Sequence, residues 1–326
     1  MSAVDVKQAP ARTLGRVGVQ TQTRRKTSVW QQIWRDRIML LLIAPGLLYF
    51  VLFRYIPLLG NVIAFQDYLP FVPIVESPFV GFANFQSMMA DGAFWQATAN
   101  TIIIAICQLI FYFPMPIILA MMLQGVMSTR VRRIIQSVVY LPHFISWVIV
   151  VALWQQVLGG SGIFVHTLRD VGLPAVNVMT EPGFFKELVT SQLIWKETGY
   201  ATIIFLAALL NIDSALYEAA VVDGAGRWQR LWHVTLPGIM GVIILLLILR
   251  LGLILSVGFE QILLQRNAVG PAAGEVLDTY VYFKGIVGGQ WGVTAAAGLI
   301  KGIIGTALVI AANKFAHRMG QEGVYN

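Results

Sequence analysis

Long apolar runs alternate with short polar intervals along this chain, and the runs are long enough to cross a bilayer. A helix rising about 1.5 Å per residue needs roughly 20 mostly apolar residues to span the hydrocarbon core. Six stretches qualify: 37–57, 99–123, 134–158, 188–210, 236–256 and 292–313. The pattern predicts an all-α, polytopic bundle of six transmembrane helices. Ahead of the first run, Trp30, Ile33, Trp34 and Arg37 fall at helical spacing, which predicts a short interfacial helix with its tryptophans among the headgroups. Pro114 and Pro116 lie inside the second run and Pro142 inside the third. Each removes a backbone donor and predicts a kink that neighbouring helices must compensate.

The polar intervals are unequal. The longest, 61–98, has no lysine or arginine, carries Asp67, Glu76 and Asp91, and is rich in proline and aromatic residues. The interval 159–187 opens with a glycine-rich turn. Both read as structured loops large enough to touch a soluble partner. The chain divides into a basic tail with its interfacial helix (1–36), a six-span domain (37–318) and a short C-terminal tail (319–326).

Composition agrees with lipid as the solvent. The chain is 57% hydrophobic and 12% charged, with a mean hydropathy of +0.71, against about 25% charge in soluble domains. The net charge of +7 raises the question of nucleic acid, but its distribution answers it. Eight of the 23 basic residues, Lys7 through Arg37, precede the first apolar run, where they hold a terminus in the cytoplasm. Intervals assigned outward carry four basic residues (Arg169, Lys186, Arg266, Lys284) and nine acidic ones, and the inward intervals reverse that bias. This inversion places both termini inside. The first 29 residues lack an apolar core, so the first span is expected to act as an uncleaved anchor. Cys107, the single cysteine, lies in an apolar run and reads as a packing or lipid-facing residue.

Between the fourth and fifth spans lies a loop with its own architecture. Asp213 or Ser214 can cap a helix carrying Leu216, Ala219, Ala220 and Asp223, and Gly224 can end it in the left-handed conformation. Trp228, Leu231 and Trp232 then form an apolar stripe, and Pro237 suits the first turn of the next span. A cytoplasmic helix of small and acidic residues fits a groove on another protein; an ordinary interfacial helix accounts for the physical pattern equally well.

Glu218-Ala219-Ala220, Gly224, Val234 and Leu236-Pro237 resemble the signature loop of membrane subunits of binding-protein-dependent ABC importers, with Val234 where isoleucine is commoner. Gly81-Phe-Ala-Asn84-Phe85, Phe94-Trp95 and Asn100-Thr101 look like the first outward loop of carbohydrate permeases. Tyr140-Leu-Pro-His-Phe-Ile-Ser146 and Ile194-Trp-Lys-Glu197 resemble a branch handling complex saccharides, alginate importer subunits among them. The likeness covers most of residues 40 to 318.

The resemblance implies a permease fold of the sugar-permease type in a bacterial inner membrane, importing an oligosaccharide by alternating access. It implies a second homologous permease subunit, two copies of a cytoplasmic ABC ATPase and a soluble solute-binding protein. Glu218, Ala219, Ala220, Asp223, Gly224, Leu236 and Pro237 would form the ATPase-docking site. The chain lacks the glycine-rich phosphate loop with its lysine, so ATP and Mg are expected on the partner ATPase, this chain binding no cofactor and catalysing nothing. No metal-ligand spacing appears.

The matching pathway stretches are 195–200 and 250–260, with Trp195, Lys196, Glu197, Tyr200, Arg250, Ile254, Glu260 and Lys301 as candidate pathway residues. Charges in hydrocarbon are costly and face partners or water. Lys196 and Glu197 are expected near the outer boundary, as snorkelling groups or an ion pair. Arg250 and Lys301 lie deeper, either as interhelical contacts or as recognition groups for a carboxylated saccharide. His143, beside Pro142, reads as structural. Two other classes remain: an ABC permease for a non-sugar solute such as polyamine, and an ion-coupled secondary transporter. The latter often shows midplane carboxylates and inverted repeats, neither of which is evident in this sequence.

Overall fold

The computed structural model describes residues 34–174, 176–321 and 323–325. They fall into two units divided between Leu59 and Gly60. Among the described residues the only β pairing is an isolated bridge between Gln66 and Phe79.

Among the described residues, the first unit is a single apolar helix. Its main segment, α1 (Arg37–Phe50), continues through a π turn (Val51–Tyr55) and a last turn (Ile56–Leu59). No residue of α1 is buried. Of the expected interfacial helix, Trp30 and Ile33 lie outside the described residues. Trp34 is helical, and the Arg37 guanidinium lies 5.6 Å from its ring centroid.

In the second unit the chain runs through α2 (Ala83–Ala90), α3 (Gly92–Cys107), a π turn (Gln108–Tyr112), α4 (Pro114–Gln124), α5 (Thr129–Tyr140), α6 (Trp147–Leu158) and α7 (Ile163–Asp170). It continues with α8 (Phe185–Leu210), α9 (Ser214–Val222), α10 (Arg227–Arg230), α11 (Leu236–Gly252), α12 (Phe259–Val269), α13 (Pro271–Gly274), α14 (Leu277–Val281) and α15 (Trp291–Arg318). Six helical runs are long and apolar enough to cross a membrane: Arg37–Phe65, Gly92–Gln124, Trp147–Asp170, Pro182–Leu210, Arg227–Gly252 and Trp291–Arg318.

The second run begins at Gly92 rather than near residue 99, because the Asp91 carboxylate caps it by accepting from the Ala93 N–H at 3.0 Å. The stretch 134–158 is not one helix, which corrects the third predicted span. α5 stops at Tyr140, Leu141–Phe144 form a 3-10 turn, and α6 restarts at Trp147 behind the Ser146 cap. Pro142 lacks the donor that would continue the α5 ladder, so the chain tightens into the 3-10 turn although Leu141 keeps helical angles (φ −53°, ψ −44°). α6 alone has 12 residues, about 18 Å of rise, so it reaches across only together with a neighbouring piece.

α8 is the hub of this unit, packing against α3, α4, α5, α11 and the 3-10 turn at Pro142. Gly199 makes the α5 contact: a Cβ there would lie 1.8 Å from the Val139 carbonyl oxygen. Small residues allow this approach of backbones between membrane helices.

The apolar core is layered. One end is filled by Ala120, Leu123, Phe205, Leu206, Leu209 and Ile239. The other holds two clusters, one around Ile104, Phe185, Val189 and Ile262 and one around Met88, Phe94, Leu277 and Tyr280. Along the chain, Gln108, Lys196–Glu197 and Arg250 all fall between these ends. Backbone irregularity gathers at the same level. The π turn Gln108–Tyr112, the 3-10 turn Leu141–Phe144 and the non-helical stretch after Gly252 interrupt three of the crossing paths. Irregular backbone at membrane depth is tolerated where it is buried in protein or lines a cavity.

Candidate functional site

Two places carry the candidate residues. The first is the loop between α8 and α11. Asp213 caps α9, accepting from the Ala215 N–H at 2.9 Å. The helix ends as its sequence predicts: Gly224 has φ +76°, its N–H donates to the Val221 carbonyl (3.0 Å), and the Ala225 N–H donates to the Ala220 carbonyl (2.8 Å). That pair of bonds is the Schellman closure, which requires a left-handed residue after the helix. Gln229 then folds back to accept from the Gly226 N–H at 2.7 Å. A π turn (Leu231–Thr235) leads into α11 with Pro237 in its first turn.

α9 has no buried residue. Glu218, Ala219, Asp223 and Gly224 are exposed and Ala220 is half-buried, while Leu216 and Val221 lie open as well. An amphipathic helix would turn its apolar side into its own protein; this one does not. Ala220, Asp223, Gly224 and Val234 share a shallow cleft of about 330 Å³. Leu236 is half-buried and Pro237 exposed.

The second place is the polar layer. Lys196 and Glu197 sit near the middle of the 26-residue α8, Lys196 lying about 17 Å from its start. Of the two readings offered for them, the local ion pair is formed. Lys196 is buried, donates to the His143 carbonyl at 2.6 Å and the Pro142 carbonyl at 3.4 Å, and lies 3.4 Å from Glu197. The Pro142 carbonyl also accepts the Ile145 N–H at 3.2 Å, so Lys196 joins a turn that is already hydrogen-bonded there. Glu197 bonds to Nδ1 of His143 at 2.7 Å, and the imidazole stacks on Tyr200, centroids 3.8 Å apart and planes 3° from parallel. Trp147 lies under the Lys196 ammonium at 5.5 Å. Trp195 faces an apolar cleft of about 280 Å³ against Trp154 and Leu158.

The other pathway candidates separate. Arg250 donates to the side-chain oxygen of Gln108 and lies 5.8 Å from the Tyr112 ring centroid. Gln108 in turn donates to the Val257 carbonyl at 3.0 Å, across the non-helical stretch. Ile254 packs against both apolar clusters at that end, and Glu260 is exposed at the start of α12. Lys301 forms an ion pair with Asp278. Arg266 pairs with Glu275, and Lys284 lies 2.9 Å from Asp91. Burial alone would raise the Asp91 carboxyl, but Lys284, the Ala93 N–H and the Tyr280 hydroxyl together hold it below its ordinary value.

His143, Gln108, Tyr112 and Asp278 were not among the residues singled out for the site from sequence. His143 and Glu197 are 54 positions apart, and only packing of the Pro142 turn on α8 joins them. In the first turn of α2, Asn84 donates to the carbonyls of Ala64 (3.0 Å) and Gln66 (2.9 Å), which accounts for an asparagine in the Gly81–Phe85 stretch.

Comparison with known proteins adds relatives to this geometry. Residues 112–321 match the family described as binding-protein-dependent transport system inner membrane component. The protein LplB of Bacillus subtilis is 41% identical over 292 residues, covering 89% of this chain and 92% of that protein. The polygalacturonan/rhamnogalacturonan transport system permease protein YteP of the same organism is also 41% identical, covering 89% and 91%. A chain from the crystal structure of a bacterial alginate ABC transporter, in complex with an alginate pentasaccharide-bound periplasmic protein, superposes with a TM-score of 0.82. It is 37% identical and covers 91% of this chain and 99% of that one.

Proposed function

The chain belongs to the family of binding-protein-dependent transport system inner membrane components, and from that premise we propose that it is a permease subunit importing an acidic oligosaccharide of alginate type. It crosses a bacterial inner membrane several times, with both termini in the cytoplasm. A soluble binding protein delivers the saccharide to the outward loops. A second permease subunit completes the pathway, and two ATPase subunits bind ATP and Mg and carry out hydrolysis, this chain taking no catalytic part. YteP, named for polygalacturonan and rhamnogalacturonan transport, and the alginate transporter chain both concern uronate polymers, and this supports an anionic cargo.

The observation that carries the substrate class is the environment of Arg250. Lys196, Arg266, Lys284 and Lys301 each have a carboxylate partner in the structure. Among the described residues Arg250 meets only neutral groups, the Gln108 amide and the Tyr112 ring. A guanidinium is a planar fork matched to a carboxylate, and one held among neutral partners in the polar layer keeps its charge for a passing uronate. Trp195 and Tyr200 offer rings for stacking on sugar faces, and Glu197 with His143 offers hydroxyl partners. Lys301, tied to Asp278, serves to anchor α14 to α15.

α9 is the docking element. Helix closure at Gly224 leaves Glu218, Ala219 and Ala220 free to enter a groove on the ATPase, and closure of the ATPase pair swings the loop and turns the cavity outward. Affinity purification of this chain from its native membrane tests the assignment. A second permease, an ABC ATPase and a binding protein loaded with a uronate oligosaccharide are the expected companions. Recovery of a binding protein loaded with a polyamine or a neutral sugar would overturn the substrate class.

A further inference from the structure

Behind the docking helix lies a basic cleft to which the transport cycle assigns no role. It has a volume of about 420 Å³, its floor is formed by Met121, Gln124 and Gly125 at the end of α4, and Tyr217, Arg227 and Arg230 stand along its walls. Neither arginine makes an ion pair or a side-chain hydrogen bond among the described residues, and the Arg230 Nε is buried with no partner. Asp223 lines the adjacent cleft with Arg230 but forms no ion pair with it. A buried guanidinium N–H without an acceptor is costly, so the cleft is built for an anion that completes it.

The flanking residues point to the kind of anion. Trp228 is 75% and Trp232 63% exposed, on the turns that carry the two arginines. Exposed tryptophans interleaved with arginines, at the mouth of a spanning helix, mark the headgroup zone of a bilayer. α5, which follows α4 after a short turn, adds exposed Arg130 and Arg133 and half-buried Arg132. We infer that Arg227 and Arg230 hold the phosphate of an anionic phospholipid of the cytoplasmic leaflet, with Trp228 and Trp232 seated among the headgroups. A guanidinium pair suits a phosphodiester, which accepts several charge-assisted bonds at once. Bound there, the lipid fixes the second half of the docking loop against the end of α4 and sets the angle at which α9 meets its ATPase. The inference holds whichever solute is carried, so a failure of the acidic-sugar reading leaves it standing.

The test uses the assembled importer in nanodiscs of phosphatidylcholine containing photoactivatable phosphatidylglycerol, with crosslinks mapped by peptide. Labelling is expected between residues 121 and 235. Basic residues contribute to anionic-surface binding by about fivefold each, so Arg227→Gln with Arg230→Gln should cut labelling about 25-fold. Arg227→Lys with Arg230→Lys, which keeps the charges, should retain most of it. Unchanged labelling in the double glutamine variant would overturn the inference. So would displacement of the lipid by inorganic phosphate, which would make the cleft a free-anion site, or a crosslink from Arg230 to an ATPase carboxylate. If the double glutamine variant fails to assemble, the lysine variant decides: loss of labelling in an assembled lysine variant overturns the lipid site.

Discussion

Single residues in this protein act mainly by satisfying groups that helix breaks expose. Lys196 is buried at membrane depth, where an unpaired charge is expensive, yet the carbonyls of Pro142 and His143 and the Glu197 carboxylate supply its partners. The lysine thereby ties the 3-10 turn at Pro142 to α8. Asp91 is satisfied by several partners at the start of α3, capping that helix while receiving the Tyr280 hydroxyl at 3.0 Å and the Lys284 ammonium. Its carboxyl is held below the ordinary aspartate value. A depressed folded-state value means the tie contributes in full above the unfolded-state value of about 4, and is lost as the pH falls through the lower folded-state value. The thermal midpoint of the purified importer should therefore show no loss of this tie between neutral pH and pH of about 5. Asp91→Asn should lower that midpoint by a few degrees throughout the range. A variant as stable as the parent at neutral pH would show that the cluster holds nothing together.

At the scale of elements, the contrast is between helices whose chemistry is local and contacts that join distant positions. The end of α9 was legible in the sequence because every part of it lies within a few residues: an aspartate cap, small residues and a glycine able to take φ +76°. The six spans were legible because about 20 apolar residues in a row have few other solutions. The third span read as one helix because its composition stays apolar through the break, and the extent of interruption at Pro142 depends on what α8 brings opposite it. The pairing of His143 with Glu197 and of Lys301 with Asp278 had no local signal at all, since each joins separate elements. For Lys301 the sequence left a choice between helix contact and substrate contact, and the ion pair favours the former. The glycine closure yields a direct prediction. Gly224→Trp places a bulky β-carbon where only glycine is unstrained, unwinding the end of α9. ATPase co-purification and uptake should both fall at least tenfold while the permease still reaches the membrane. Undiminished uptake by that variant would remove α9 from the docking role.

At the scale of the whole molecule, the layered core belongs to the second unit. Apolar clusters fill both ends of the second unit, the helix breaks with Lys196, Glu197 and Arg250 fall between them along the chain, and α9 has no buried residue. Family and architecture follow from the long apolar runs and the docking loop, while the nature of the cargo rests on which charges are already paired. Arg250 is the decisive residue, and Arg250→Gln keeps its size and polarity while removing its charge. The most direct measurement is ATP-dependent uptake into proteoliposomes holding the complete importer, comparing a uronate oligosaccharide with a neutral one of equal length. The account predicts that the parent protein prefers the uronate, and that Arg250→Gln lowers uronate uptake about tenfold, as loss of one charge-assisted pair would, with little change in residual neutral uptake. Equal loss for both sugars, or no loss for either, would contradict it.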